Sequence, residues 1–599
     1  MMSGLVLPRL QGVKALLSVR GFQVVTGKAL TGRPVTNVKC PPFSHPAGHA
    51  RCGSTSSLYD HDALRSHFHK HLKTPEYFNF AKDIVGVWAH KKPGHPALRV
   101  TDGREETLVT YSELFSQAQA LATALAHPAP PRCALLVLPK VVEWWVVCVA
   151  ASWCGMIISP GTSLLTPGDV VHRLAESEAD CVVCGPAMAA ALDPVTRSIP
   201  RRLVVTHHSQ HVPDGWIWYQ DLLESARGRP TRPCVLSRGD DIAQIFFTSG
   251  TTGKPKMVPH TQASYGIGLA PAARFWLDLT EDDVLWNISD PGWAKSAWSS
   301  LYIPFMVGAT VFVHQMAQFD PEECVRALRE HRVTVLCAPP TAYRALLQLD
   351  LTRQTFPSLR HCVSAGEPLN PEAMQLWQRS TGVAIYEGYG QTETTLVACA
   401  ARGMGAPPGS MGKAAPGYTL TIIDEKQQEL GPNEEGYIAV SLKDHHPIGL
   451  FTGYLQDERR SSEVFVGGYY ITGDRGYYDD RGFFWFVGRA DDLIISAGYR
   501  IGPFEVESAL LEHPAVVESA VVSSPDALRG EVVKAFVVLA ADYKDQEPAD
   551  LVVALQDHVK RSTAPYKYPR KVEFVDALPK TVSGKIRRVE LRSREWGRA

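Results

Sequence analysis

Residues 248–256 read Thr248-Ser249-Gly250-Thr251-Thr252-Gly253-Lys254-Pro255-Lys256, directly after the apolar run Ile245-Phe246-Phe247. Glycines let backbone N–H groups approach a ligand closely, and hydroxyls and ammonium groups add donors that suit phosphate oxygens. The stretch therefore predicts a phosphate-gripping loop after a strand. Its spacing departs from the nucleotide-kinase loop, which needs a Gly five residues before the Gly-Lys pair and a Ser or Thr after the lysine. Thr248 and Pro255 occupy those places. A flexible surface loop is the bland alternative, and the preceding strand and the density of donors argue against it.

Outward from this loop, short apolar runs alternate with segments of helical spacing from about residue 80 to 490. Ala134–Leu138, Cys181–Val183, Leu203–Val205, Thr310–Val313 and Val333–Leu336 read as strands. Strands alternating with helices predict parallel sheets covered on both faces, here one large α/β domain with more than one sheet. Near Gly405 the composition shifts to Gly, Pro and short β runs, with turns at Gly431-Pro432 and Asp480-Arg481-Gly482, which predicts a smaller β subdomain. After Gly488, helices over 505–513 and 549–561 and strands over 516–522 and 534–539 predict a compact domain of about 100 residues.

Composition narrows the class. At 599 residues with 45% apolar content the chain exceeds one core, and a net charge of −1 gives no basic bias toward nucleic acid. The longest uncharged apolar stretch, Trp144 to Ile158, is shorter than the roughly 18 residues of a membrane span and predicts a buried helix instead. The twelve cysteines are scattered, and the pair Cys181 and Cys184 has no second pair at zinc spacing, so they read as reduced. His67, His69 and His71 read as a solvated stretch and carry no metal assignment.

Residues 1–59 hold no Asp or Glu but seven basic residues, Arg9, Lys14, Arg20, Lys28, Arg33, Lys39 and Arg51, with Leu, Val and Phe between them. That pattern predicts a mitochondrial transit peptide, with a disordered basic tail as the alternative.

Other segments then fall into a recognisable order: Ser364-Ala365-Gly366-Glu367-Pro368, Glu387-Gly388-Tyr389-Gly390-Gln391-Thr392-Glu393, Ile471-Thr472-Gly473-Asp474, Val487-Gly488-Arg489 and Pro579-Lys580-Thr581-Val582-Ser583-Gly584-Lys585. Together with residues 248–256 they resemble the adenylate-forming superfamily, and over about 500 residues the chain is most similar to its mitochondrial medium-chain acyl-CoA synthetases. Tyr77–Phe80, Pro139–Trp145, Ser289–Trp293, Ser523–Asp526, Arg529–Phe536 and Thr563–Lys571 carry the closer likeness.

The resemblance implies a large N-terminal adenylate-forming domain, 60–490, of two α/β sheets plus a small β subdomain. A small mobile α+β C-terminal domain, 491–599, follows. It implies ATP and AMP contacts from Thr248–Lys256, Glu387–Thr392, Asp474, Arg489, Arg500 and Lys585. Asp474 would take the ribose hydroxyls, Glu393 would hold Mg2+, and Lys585 would be the catalytic lysine bridging the carboxylate and the α-phosphate. Asp491 would be the hinge.

Ala497, Gly498, Tyr499, Arg529, Lys560 and Tyr568 would touch coenzyme A. Trp293 and Gly390 would shape the acyl pocket, with Gly390 leaving its floor open for acids beyond two carbons. Two departures, Pro291 for the usual Thr or Ser and Ala497 for Ser, bear on the substrate.

The implied reaction joins a medium-chain carboxylic acid to coenzyme A through an acyl-AMP, using ATP and Mg2+, in the mitochondrial matrix, as a monomer or homodimer. Aromatic acids such as benzoate, or a non-catalytic nucleotide-binding role, are the alternatives. A peptide-synthetase module is disfavoured because only 14 residues follow Lys585.

Overall fold

The computed structural model describes Phe68 and residues 72–127, 129–207, 209–248, 255–316, 318–496, 499–580 and 585–597. The transit-like segment, the three alternating histidines and the loop residues Ser249–Lys254 lie outside them. So do Ala497, Gly498 and residues 581–584.

Two large sheets make the core of the N-terminal part. The first runs β7 (Ile217–Trp218), β6 (Arg201–Val204), β5 (Cys181–Cys184), β3 (Cys133–Val137), β4 (Ile157–Pro160), β8 (Ile242–Thr248) and β9 (Lys256–Thr261). All neighbours are parallel except β9, which returns antiparallel along β8.

The second sheet has nine strands: β16 (Lys413–Ala414), β15 (Thr395–Cys399), β14 (Ile385–Gln391), β13 (His361–Ala365), β12 (Val335–Ala338), β10 (Val284–Asn287), β11 (Thr310–His314), β1 (Pro96–Thr101) and β2 (Glu106–Thr110). Its centre is parallel and its edges antiparallel. β3, β5, β11, β12 and β13 are buried at every residue, as strands covered on both faces require.

The helix Val142–Cys154 fills the apolar stretch read from sequence, and from Trp144 onward each of its side chains is buried. It stops at Gly155, whose φ of +75° is a left-handed cap, and Ile157 already starts β4. The apolar run is thus a helix and a strand, and among the described residues no helix is long and apolar enough to cross a membrane. Cys181 and Cys184 are buried free thiols inside β5, and burial pushes both well up, Cys184 to about 12.

A third sheet of five strands follows: β17 (Leu420–Ile423), β18 (Gly436–Ser441), β20 (Tyr469–Tyr478) and β19 (Phe465–Val466), with β21 (Phe484–Arg489) on β20. The chain then crosses Ala490–Leu493 into a fourth sheet of β22 (Ile494–Ser496), β23 (Tyr499–Ile501), β24 (Val516–Asp526), β25 (Gly530–Leu539) and β26 (Lys571–Phe574). Helices Pro503–Leu511 and Pro548–Ser562 pack on it around Val506, Leu510, Leu551, Leu555 and Val559, a core separate from those of the large sheets.

Candidate active site

Thr248 and Lys256 pair across the mouth of the β8–β9 hairpin, at the C-terminal end of β8. Ligands of α/β sheets collect at such strand ends. Behind the hairpin, the buried His260 of β9 joins its Nε2 to the Thr392 carbonyl at 2.6 Å and its Nδ1 to Ser264 Oγ at 3.1 Å. Burial holds this imidazole down to about 4, so it is neutral at pH 7.

Asp474 on β20 stands opposite Arg489 on β21. It is 4% exposed. Its Oδ2 accepts from Tyr389 Oη at 2.6 Å and Gln391 Nε2 at 2.7 Å, and its Oδ1 meets Arg489 Nη1 at 3.2 Å. Tyr470 in turn donates to Gln391 Oε1 at 2.9 Å, which fixes the amide's orientation. Burial raises the Asp474 carboxyl against the pull of Arg489, Tyr389, Gln391 and Lys585.

Glu387 lies on β14, the strand that also carries Tyr389 and Gln391. Its Oε1 accepts the Leu369 N–H at 2.8 Å, and burial pushes it up to about 8, so at neutral pH it is largely a neutral acid. Glu393, just past β14, accepts Tyr454 Oη at 2.9 Å; burial raises it while Lys256 pulls it down. The Lys256 ammonium stands 4.7 Å over the Tyr454 ring. A cavity of about 560 Å³ opens beside this pair, lined by Pro255, Lys256, Tyr454, Arg459 and Arg460.

Lys585 enters from the far end of the chain. The helix Arg588–Glu595 that follows it is anchored where Arg588 grips the buried Glu507 at 2.6 and 2.9 Å. From there the charge of Lys585 reaches both Asp474 and Lys295. Asp491 sits in the crossing between the third and fourth sheets: Arg489 Nε lies 3.4 Å from its carboxylate, and its carbonyl accepts Arg592 at 2.7 Å.

Among the expected nucleotide contacts, Tyr389, Gln391, Asp474, Arg489 and Lys585 thus come together, and Arg500 does not join them. It pairs with Glu425 at 3.1 Å, across the crossing from its own sheet.

The coenzyme candidates fall into three places. Tyr499 stacks on Tyr566 at 4.3 Å. Lys560 and Arg570 flank the Tyr568 ring at 4.5 and 4.8 Å. Arg529 sits in the β24–β25 turn, 3.8 Å from Asp526.

One expectation is corrected. Gly390 does not leave an open floor: a Cβ built on it lies 1.8 Å from the Thr395 carbonyl oxygen, because the β14–β15 ladder shifts register between Tyr389 and Gly390. The volume a larger residue needs is filled by β15 backbone, and Thr395 itself holds a left-handed φ of +58°. Gly292, by contrast, is required by close approach, since a Cβ there would sit 2.2 Å from the Thr162 nitrogen where the loops of the two large sheets meet.

His260, Tyr454 and Lys295 were not singled out by sequence reasoning. Only Lys295 had a visible signal, a lone charge in an uncharged run.

A carboxylate buried among Tyr389, Gln391 and Arg489, at which the charge of Lys585 from the C-terminal part of the chain is felt, is an arrangement that suits an adenylating enzyme. The chain belongs to the AMP-binding enzyme family, which matches residues 86–455, with the AMP-binding enzyme C-terminal domain over 505–585.

It is similar to the mitochondrial acyl-coenzyme A synthetase ACSM3 of Mus musculus, 46% identical over 91% of this chain and 95% of that one. It is also similar to mitochondrial ACSM4 of Homo sapiens, 48% identical over 87% and 91%. Among solved structures it is similar to the anthranilate CoA ligase AuaEII in complex with anthranoyl-AMP, with TM-score 0.79 and 28% identity over 87% of this chain and 98% of that one. The benzoate CoA ligase from Burkholderia xenovorans LB400 gives 0.75 and 28% over 86% and 100%.

Proposed function

We propose that the protein is an ATP-dependent acyl-CoA ligase that activates medium-chain carboxylic acids as acyl-adenylates and passes the acyl group to coenzyme A. The observation that carries this reading is the meeting of Lys585 with Asp474. A lysine of the fourth sheet's domain is felt at a buried carboxylate of the third, where an adenosine ribose and its α-phosphate would lie.

In the first half-reaction the carboxylate oxygen bonds to the α-phosphorus and pyrophosphate leaves with its electron pair. The Lys585 ammonium neutralises charge as it develops, with no proton transfer. Asp474 orients the ribose. Three of its roughly four acceptor positions are taken by protein donors, so the half-buried Arg489 is the partner that must yield to sugar hydroxyls. In the second half, after rotation at Asp491, the coenzyme thiol gives its proton to solvent and its sulfur bonds to the acyl carbon, while the acyl–oxygen bond breaks and AMP leaves with that electron pair on its phosphate oxygen.

Glu393 suits Mg2+. It is a buried carboxylate already held by one phenol, and among the described residues no cluster of three acidic, His or Cys ligands exists. Such a site fits a hard cation that takes its remaining oxygens from substrate phosphates and water. When bound, the ion would neutralise phosphate charge.

The relatives named mitochondrial support a mitochondrial location, and the acid-free N-terminal residues support the matrix as its compartment. The names of the structural neighbours favour one second reading, aromatic acids. The deciding experiment is AMP release that requires coenzyme A, across straight-chain acids of two to twelve carbons and benzoate. Turnover peaking near six to ten carbons is expected, benzoate as the best substrate would select the second reading, and no AMP from any acid would reject both.

A further inference from the structure

Lys295 is the one charged side chain between Asp290 and His314. It lies in the short helix Ala294–Ala297, directly after Trp293, and Ser296 to Met306 beyond it are all buried. Its Nζ donates to the Ala365 carbonyl at 3.0 Å, at the C-terminal end of β13 in the middle of the nine-stranded sheet. Among the described residues no carboxylate pairs with it. Glu367, whose charge it feels, lies 3.9 Å from Arg344 instead.

An ammonium in such surroundings is costly unless an anion answers it. Lys295 has three donors, and the Ala365 carbonyl uses one. Lys585 makes the imbalance larger: burial lowers the Lys295 ammonium below the usual lysine range, and the Lys585 charge adds to that. The charge of Lys585, from the C-terminal part of the chain, is thus felt at Lys295 as well as at Asp474. Further along the same run, Trp298, Leu301, Tyr302 and Phe305 are buried in the apolar core. A ligand whose anionic group takes the spare donors of Lys295 beside this apolar core fits the neighbourhood.

We propose that Lys295 binds the carboxylate of the acid substrate and holds it opposite Lys585 before adenylation. This rests on the acyl-CoA ligase reading. Lys295 exchanges no proton: the carboxylate oxygen forms its bond to phosphorus while the pyrophosphate oxygen takes the electrons of the broken one. The acyl oxygens lose their net charge in the acyl-adenylate, so the grip of Lys295 weakens and the second half-reaction does not need it.

The test uses the full chain with Lys295→Met, which keeps the length of the stem, and Lys295→Arg, which keeps the charge. KM for octanoate and for ATP is measured in the overall reaction, and acyl-CoA formation is measured from supplied octanoyl-adenylate. Octanoate and octanamide binding are compared by calorimetry. Lys295→Met is expected to raise the octanoate KM about tenfold or more, the size of one lost hydrogen bond to a charged group, with ATP KM and the second half-reaction unchanged. It should also erase the preference for octanoate over octanamide, and Lys295→Arg should keep part of that preference.

An unchanged octanoate KM in an active variant overturns the proposal. So does a rise in ATP KM instead, which would put Lys295 on phosphate, or equal loss in both half-reactions, which would make it structural. An unmodified enzyme that forms no acyl-CoA from any acid rejects the ligase reading itself.

Discussion

Asp474 and Tyr499 lie on either side of the Asp491 crossing, and their surroundings differ in kind. Asp474 is buried, receives three protein donors and is held by strands of two sheets. Tyr499 is 53% exposed and touches Tyr566, itself 39% exposed, while Lys560 and Arg570 crowd onto Tyr568 in the same small domain. The nucleotide side is arranged before any ligand arrives, as electrostatic stabilisation requires. The small domain keeps its cations and rings on its own surface, with few bonds across the crossing. That suits a part that presents different residues in two half-reactions.

The largest effect should come from the one residue that carries the small domain's charge into the preformed side. Lys585→Ala is expected to slow adenylate formation about 10²–10³-fold, the scale of removing one transition-state donor. Acyl-CoA formation from supplied acyl-adenylate should stay near the unmodified rate. Equal losses in both halves would dissolve the contrast, because Lys585 would then act through structure alone.

Asp491→Pro addresses the crossing. Proline fixes its own φ and restricts the residue before it, so rotation there is hindered. Adenylation, with the sheets as they stand here, should persist, while thioester formation falls about tenfold or more, roughly 1.4 kcal/mol of barrier. Pyrophosphate release without acyl-CoA is the readout, and full acyl-CoA synthesis would move the hinge elsewhere.

Glu387 tests how buried the nucleotide side is. Its carboxyl keeps a proton up to about 8 in the fold, against 4.5 ordinarily. Between those values the unfolded chain binds fewer protons at this site, so this group makes stability fall as pH rises through about 4.5 to 8. Glu387→Gln is neutral throughout and keeps an oxygen for the Leu369 N–H. It should remove that slope and gain on the order of a few kcal/mol relative to glutamate at pH 8 and above. Melting temperature against pH for both forms measures it, and parallel curves would mean that Glu387 is solvated and ionised.

The alternation of strands and helices, and the segments around Glu387–Glu393, Asp474 and Lys585, were legible because each depends on residue type at short spacing. Other features depend on where distant strands meet. Whether Gly390 opens a pocket is decided by a register shift against β15, which no local pattern records. His260 and Tyr454 matter through single bonds to Thr392 and Glu393, 132 and 61 positions away. Lys295 stands out in sequence only as a lone charge in an uncharged run, and its meaning depends on the Ala365 carbonyl it meets. The helix and strand hidden in Trp144–Ile158 were separable only by Gly155, one residue in an otherwise continuous apolar run.

The smallest effect concerns the tie across the crossing. Arg500 and Glu425 join the fourth sheet to the β17–β18 turn at 3.1 Å, with side chains 49% and 56% exposed, so the pair contributes at most about 1 kcal/mol. Arg475 also faces Glu425, at 3.6 Å, but keeps a closer partner in Glu435 at 2.9 Å, so Glu425→Ala leaves no buried charge alone. Melting temperature should barely move. The balance between domain positions should shift away from this one, lowering adenylation about two- to fivefold and leaving thioester formation unchanged or slightly faster, because the tie exists only on this side of the rotation. Raising salt to about 1 M shortens the reach of charge to roughly 3 Å and should bring the unmodified enzyme down to the variant. A difference that survives high salt, or one that appears in both half-reactions, would show that Glu425 shapes the turn rather than latches the small domain.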